Sequence, residues 1–325
     1  MLSNFAYIHA HSVREAVNHL ASGGARLHAG GTDLLGCLRD NVFSAKKLVS
    51  ISKLDALRGI KETPEGGLEI GALTTITEIA EHPLIKHRYP ALAQGASEVG
   101  SPQLRNQGTL GGNICQKPRC WYYRGEFYCL RKGGDRCYAV GGENQFHCIF
   151  GGHKCYIVHP SDTAPALVAF EAVARIVGQK GTRTVPIEQF HVLPGRNVQR
   201  ETVLGGDEIV MEILLPPVLP GLRSSYRKVR ARRSWDFALA GAALAVRFDG
   251  SVVEKARIVL SGVAPVPWRS REAEKIITGR RLDSRMAAKA AKAAVKDAHP
   301  LGKNGYKIPL LRGMLEEELR DIGMV

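Results

Sequence analysis

Six of the seven cysteines lie in one stretch, as Cys115, Cys120, Cys129, Cys137, Cys148 and Cys155, and only Cys37 falls outside it. Thiols crowded in this way suit a soft metal held as thiolates. Three chemistries compete for them. A structural zinc site usually shows two close knuckles, each with about two to four residues between its cysteines. Cys115 and Cys120 make one such knuckle at the upper limit, but every later gap is longer. Disulfides belong to oxidising compartments. Residues 1–9 lack the basic region and apolar core of a secretory signal, so a cytoplasmic location with reduced thiols is expected. An iron–sulfur cluster takes four thiolates and tolerates varied spacing.

A second chemistry is suggested by two glycine turns. The first reads Ala29-Gly30-Gly31-Thr32-Asp33-Leu34 and the second Gly108-Thr109-Leu110-Gly111-Gly112-Asn113. Paired glycines let successive backbone N–H groups converge on one anion, because no side chain blocks the approach. Thr32, Thr109 and Asn113 add hydrogen-bonding groups for a phosphate or ribose. Neither turn matches the phosphate loop ending in Lys-Ser/Thr or the spaced triple glycine of the dinucleotide fold. One such turn alone is usually structural. Two in one chain, each continuing from an apolar or helical segment, raise the prospect of diphosphate binding. His28, His147, His153 and His159 form no metal-ligand set, and no acid, base or nucleophile set stands out, so no catalytic residue is assigned.

The elements that must position these groups follow from local pattern. Ser12 caps a helix in which Val13, Ala16, Val17 and Leu20 recur at helical spacing. A short strand running into the first glycine turn is expected over 25–35, and further strands at 47–52 and 68–73. A helix opens at Thr74, Thr75 and Thr77 and is interrupted by Pro83, and another covers 91–99. Beyond the cysteines come a small-residue helix over 162–172, a hairpin of 173–177 with 182–186, and a strand over 208–215. Pro216, Pro217, Pro220 and Gly221 then punctuate the chain, which places the main boundary there, with domains of 1–218 and 219–325. The second domain reads as strands 240–248 and 252–263 joined at Asp249-Gly250. Helices over 286–298 and 310–322 follow.

A chain of 325 residues accommodates two cores. No apolar run approaches the roughly 20 residues of a membrane helix. The net charge of +14 is spread along the chain, with one dense cluster at Arg227–Arg233. A docking face for an acidic protein or an anionic cofactor accounts for it, and neither nucleic acid nor membrane is expected as a partner.

The two glycine turns, in their order with Ser101-Pro102-Gln103-Leu104-Arg105-Asn106-Gln107 and Ser161-Asp162-Thr163-Ala164-Pro165-Ala166-Leu167, resemble the FAD-binding medium subunit of the molybdenum hydroxylases. That is the xanthine dehydrogenase and carbon monoxide dehydrogenase family, and the resemblance covers nearly the whole chain. It implies an α+β fold: a two-lobed FAD-binding domain followed by a smaller α+β C-terminal domain. It also implies that Ala29, Gly30, Gly31, Thr32 and Asp33 take one side of the FAD diphosphate and Thr109, Gly111, Gly112 and Asn113 the other. Leu34 would lie near the isoalloxazine ring, and Ser161 with Asp162 near the adenosine. Lys228 matches a lysine that reaches the flavin in some relatives; a solvated basic face is its other reading.

Most members of that family run directly from the second glycine turn to the Ser-Asp pair. Here a segment of about 115–156 intervenes. Arg119-Cys120-Trp121-Tyr122-Tyr123, the phrase from Cys129 to Cys137, and Cys155 resemble the [4Fe–4S] insert of the 4-hydroxybenzoyl-CoA reductase β subunit and of some bacterial molybdenum aldehyde dehydrogenases. The ligands implied by that resemblance are Cys120, Cys129, Cys137 and Cys155. Cys115 is left packed beside the glycine turn and Cys148 buried as a small hydrophobe. Trp121, Tyr122 and Tyr123 are placed to shield the cluster from water. The family implies an electron-transfer subunit beside a molybdenum-cofactor large subunit and a [2Fe–2S] small subunit, as a dimer of heterotrimers. Ferredoxin would be a candidate external carrier.

Overall fold

The computed structural model of the chain describes Leu2, residues 4–233 and residues 235–324. Its first lobe begins with a βαβ unit. Strands Ala6–His9 and Ala25–His28 both run parallel to Lys47–Ser50, which lies between them. The crossover is helix Val13–Ala21, where Ser12 Oγ accepts from Glu15 N at 3.1 Å. Ala16, Val17 and Leu20 are buried in one cluster with Val49, Ile51 and Leu54. That apolar stripe ties the helix to the sheet. The first glycine turn leaves the end of Ala25–His28 and runs into a short helix, Leu34–Arg39.

The second lobe is a five-stranded antiparallel sheet, ordered Ile60–Glu62, Leu68–Gly71, Ile209–Leu215, Val173–Gly178, Gly181–Pro186. The chain leaves this sheet after Gly71 and returns only at Val173. The second glycine turn, six of the seven cysteines and the Ser-Asp pair all lie in that excursion. Thr75 closes a capping box with Glu78 at the start of helix Ile76–Glu81. Pro83 opens a second helix, Pro83–Arg88, as its first residue. Proline's fixed φ suits that position, so it starts a helix here and interrupts none. The cysteine segment holds only short turns of helix, Trp121–Arg124 and Leu130–Lys132, among the described residues.

The C-terminal unit is a four-stranded antiparallel sheet, ordered Trp268–Arg269, Val252–Ser261, Ala240–Asp249, Leu222–Val229. Helices Arg271–Ile277, Ser284–Ala294 and Lys307–Met324 cover one face. Ala242, Leu244 and Val246 point beneath those helices, whereas Ala243 and Ala245 enter the core of the preceding lobe. Alternate residues of a strand face opposite sides, so a strand apolar throughout is what burial on both faces requires. The alanines on the second face let helices Pro90–Ser97 and Thr163–Ala169 approach the sheet.

Strand Leu222–Val229 carries no expectation from the sequence, because its basic residues hide the alternation. Tyr226 and Lys228 turn inward, while Arg227 turns out toward Glu317 and Glu318. The cluster Arg227–Arg233 is therefore not one solvated basic face. No described helix is long and apolar enough to cross a membrane.

Candidate functional site

The two glycine turns meet. A Cβ on Gly30 would lie 1.8 Å from Gln107 O, so the first turn packs on the backbone that leads into the second. Gly31 has φ +72°, a conformation glycine adopts without strain. Among the described residues, the N–H groups of residues 30–34 find no acceptor in the chain, and Leu35 N is the next to donate, to Gly31 O. Five successive unpaired donors at the start of a helix form a concavity suited to an anion.

The second turn is built differently. Thr109 caps helix Leu110–Ile114 by accepting from Gly112 N at 3.3 Å. Leu110 N donates to Thr74 O and Gly111 N to Ala72 O. A Cβ on Gly111 would press on Ala72 Cβ at 3.0 Å and Ala72 O at 3.1 Å. The glycine at 111 therefore serves chain packing, and its donor is already used. A Cβ on Gly112 would meet only Thr109 Oγ1, at 3.1 Å, which makes this the position open to the cleft.

Residues 29–34 line a cavity of about 260 Å³ with Thr109, Gly111 and Gly112. A neighbouring cavity of about 380 Å³ shares Gly31, Thr32, Asp33, Thr109 and Gly112 and adds Asn113 and Asp162. A third, of about 190 Å³, takes Ser161 and Asp162 together with Cys120 and Trp121 from the cysteine segment. All the expected contacts except Lys228 thus line one run of cavities that share walls.

Several of these side chains are committed within the protein. Asn113 Oδ1 accepts from Ser161 Oγ at 2.5 Å and Thr163 Oγ1 at 2.7 Å, tying the second turn to the Ser-Asp pair. Asp162 is buried, and its two oxygens accept from Tyr226 Oη and Lys228 Nζ, each at 2.8 Å. Burial raises the Asp162 carboxyl above its ordinary range, and the Lys228 ammonium opposes that shift. Lys228, which also donates to Glu98 O at 3.0 Å, has a side chain 1% exposed. Its solvated reading is thereby corrected: it neutralises a carboxylate inside the protein.

Asp33 is committed too, to the cysteine segment. Its carboxylate accepts from Lys117 N and Arg124 Nη2, each at 2.7 Å, and pairs with Arg119 at 3.1 Å. The first glycine turn and the start of the segment are thus stapled together. Glu201 holds a second point, through Lys117 and the buried Arg131. A third lies at the start of the C-terminal helix. There Asn304 Nδ2 donates to His147 O and Cys148 O, Tyr306 Oη to Gln145 O, and Lys307 Nζ to Phe146 O. None of these anchors is legible from spacing, since each partner is distant in sequence.

All seven cysteines are free thiols. Cys120, Cys137 and Cys155 lie within Coulombic reach of one another. Cys129 shares a small apolar cluster with Cys37, Tyr123 and Cys120, although Cys37 stands far away in sequence. Cys148 is buried as expected, yet it also lies within reach of Cys137 and Cys155. Cys115 packs beside the second turn and lines the first cavity. Burial pushes the Cys120 and Cys115 thiols up to about 12, and raises Cys155 against the opposing pull of Arg131. Ligation must therefore displace protons, which bound metal does readily.

Among the described residues, no three His, Cys, Asp or Glu side chains already converge as they would on a single ion. A four-iron cube holds its ligands farther apart than a single ion does. Unpaired thiols, with Cys129 and Cys155 buried and Cys120 and Cys137 partly buried, and the buried Arg131 beside Cys155, are compatible with that chemistry. The aromatic shield is partial: Tyr123 is buried, but Trp121 is 49% exposed and stands edge-on to Phe146. Two histidines outside the expected set line the third cavity. His147 Nε2 lies 3.3 Å from Cys120 Sγ, and His159 is buried against His191 with ring centroids 4.2 Å apart.

Comparisons with known proteins bear on this geometry. The family described as "FAD binding domain in molybdopterin dehydrogenase" matches residues 3–218, and "CO dehydrogenase flavoprotein C-terminal domain" matches residues 224–322. The aldehyde oxidoreductase FAD-binding subunit PaoB of Escherichia coli is 34% identical over 302 residues, covering 92% of this chain and 91% of that one. The carbon monoxide dehydrogenase medium chain of Hydrogenophaga pseudoflava is 30% identical over 323 residues, covering 97% and 96%. A solved structure of carbon monoxide dehydrogenase from the same organism superposes with a TM-score of 0.77 at 27% identity, over 98% of this chain and 96% of that one.

Proposed function

Because the chain belongs to the FAD-binding subunits of the molybdenum hydroxylase family, we propose that it holds FAD along the run of cavities and a [4Fe–4S] cluster in the inserted segment. The free donors of residues 30–34 carry this reading, because they supply what a diphosphate needs and the chain gives them no other acceptor. Ala29, Gly30, Gly31, Thr32 and Asp33 would hold the diphosphate through backbone N–H groups, since the Asp33 carboxylate serves the insert. Thr109, Gly111, Gly112 and Asn113 would close the other wall, with Leu34 toward the isoalloxazine ring. Ser161 and Asp162 would border the adenosine, and Lys228 would act through Asp162. Bound flavin supplies one- and two-electron redox chemistry.

Cys120, Cys129, Cys137 and Cys155 would hold the cluster. Asp33 fixes the start of the insert to the first glycine turn, so the two cofactor sites share one rigid wall. The chain passes electrons between an external carrier, for which ferredoxin is a candidate, and a [2Fe–2S] small subunit. Substrate chemistry belongs to a molybdenum-cofactor large subunit. The relatives' designations as medium chains and FAD-binding subunits support this division. A dimer of heterotrimers in the cytoplasm is the assembly proposed. For the complex as a whole, the insert resembles those of both the 4-hydroxybenzoyl-CoA reductase type and some aldehyde dehydrogenases, and the 34% identity to the aldehyde oxidoreductase subunit favours an aldehyde-oxidising one.

Gly112→Val tests the flavin placement. Its side chain would enter the cleft with only Thr109 Oγ1 to displace. Flavin retained on the purified chain should fall at least about tenfold, a loss of roughly 1.4 kcal/mol in binding, with unchanged circular dichroism. Full flavin content in the folded variant would refute it.

A further inference from the structure

Three basic side chains are almost wholly enclosed. Lys228 pairs with Asp162 and Arg131 with Glu201. Lys307 is 0% exposed, and among the described residues it makes no ion pair. Its Nζ donates to Phe146 O at 3.2 Å and Gly262 O at 2.7 Å. Carbonyl dipoles satisfy its hydrogen bonds but leave its charge uncompensated, and an uncompensated buried charge is strongly unfavourable.

Apart from Gly262, the groups around Lys307 belong to the cysteine segment. The side chains of Asn304, Tyr306 and Lys307 donate to the carbonyls of Gln145, Phe146, His147 and Cys148, which seats Lys307 against that segment. Phe146, whose carbonyl Lys307 holds, precedes His147, whose Nε2 lies 3.3 Å from Sγ of the proposed ligand Cys120, and Cys148 lies within Coulombic reach of Lys307. Burial pulls the Lys307 ammonium down to about 8, and an anionic neighbour would restore it. A [4Fe–4S] centre with four thiolates is anionic in both redox states, and more so when reduced.

We infer that Lys307 is the counter-charge of the cluster and sets its reduction potential by favouring the reduced, more negative state. This inference rests on the cluster proposed above. Lys307 touches neither substrate nor flavin, so it acts by position and charge in a weakly screened interior.

The test is an EPR-monitored redox titration of the full chain, in its complex as purified, for wild type, Lys307→Met, Lys307→Gln and Lys307→Arg. Glutamine keeps a donor for the carbonyls without the charge, and arginine keeps the charge. Met and Gln should each shift the oxidised-to-reduced ratio at fixed potential at least tenfold toward the oxidised form, a midpoint about 59 mV lower for a one-electron couple. Arg should stay near wild type. Should Met and Gln both lose iron while Arg keeps it, the charge is again supported. Equal midpoints in all variants, or equal iron loss in all three, would overturn the inference and leave Lys307 a structural clamp. Absence of iron and sulfide from the wild-type chain would instead remove the cluster itself.

Discussion

Lys228→Met isolates the buried pair that joins the Ser-Asp turn to strand Leu222–Val229. The side chains of Lys228 and Asp162 are 1% and 6% exposed. Removing one partner of so enclosed a pair leaves the other charge without compensation, at a cost of about 3–5 kcal/mol. For a domain of this size each kcal/mol lowers the melting temperature by about 2–4 °C, so a fall of roughly 6–20 °C is expected. Tyr226 Oη still holds one carboxylate oxygen, which favours the lower half of that range. Burial already raises the Asp162 carboxyl, and losing the lysine raises it further. A carboxyl raised in the folded state contributes stability that is present at low pH and lost as pH rises, so the penalty should shrink as pH falls toward the ordinary carboxyl value of 3.8. Thermal melts of wild type, Lys228→Met, Asp162→Asn and the double variant close a cycle whose coupling should be about 1–3 kcal/mol. A Lys228→Met melt within about 2 °C of wild type at pH 8 would mean a penalty of no more than about 1 kcal/mol, and would refute the reasoning.

Asp33→Asn should release the start of the insert, since Arg119 and Arg124 lose their shared carboxylate. Trypsin cleavage near Arg124 should accelerate while the C-terminal helices stay protected; an unchanged digestion pattern would argue against the staple. Burial lowers His191 from 6.5 to about 4 and His159 well below its usual value. Both stay neutral in the fold while the unfolded chain takes up protons below 6.5, so stability should be lost as pH falls from 6.5 toward 4. His191 alone accounts for about 3 kcal/mol across that window. His159→Phe, which keeps a ring against His191, should flatten melting temperature against pH there, and a slope equal to wild type would count against it. Cys137→Ala should remove iron from the purified chain, whereas Cys148→Ala should leave it, as metal analysis would show.

Much of the scaffold is legible in local pattern. Ser12 and its helix, the 173–186 hairpin and the turn at Asp249-Gly250 follow from short-range rules of capping, alternation and turn chemistry. The glycine turns are legible as turns, and the packing of Gly30 on Gln107 brings them together. What local pattern hides is where a polar side chain is spent. Asp33 has the chemistry of a cofactor contact, yet its carboxylate holds Lys117, Arg119 and Arg124, whose proximity only the fold creates. Gly111 has the look of an anion-binding glycine, but Ala72 is what its side chain would strike. Lys228 hides in a basic cluster because period-two alternation among arginines is not visible as a hydrophobic pattern. Lys307 sits at the start of a helix that carries no chemical motif, and only its burial makes it notable.

The central claim, two redox cofactors on one chain, is tested most directly by cofactor stoichiometry of the anaerobically purified protein. Acid-released flavin, iron and acid-labile sulfide should be found at about one, four and four per chain, as one FAD and one [4Fe–4S] cluster require. A chain carrying zinc and no sulfide, or no flavin at all, would contradict it.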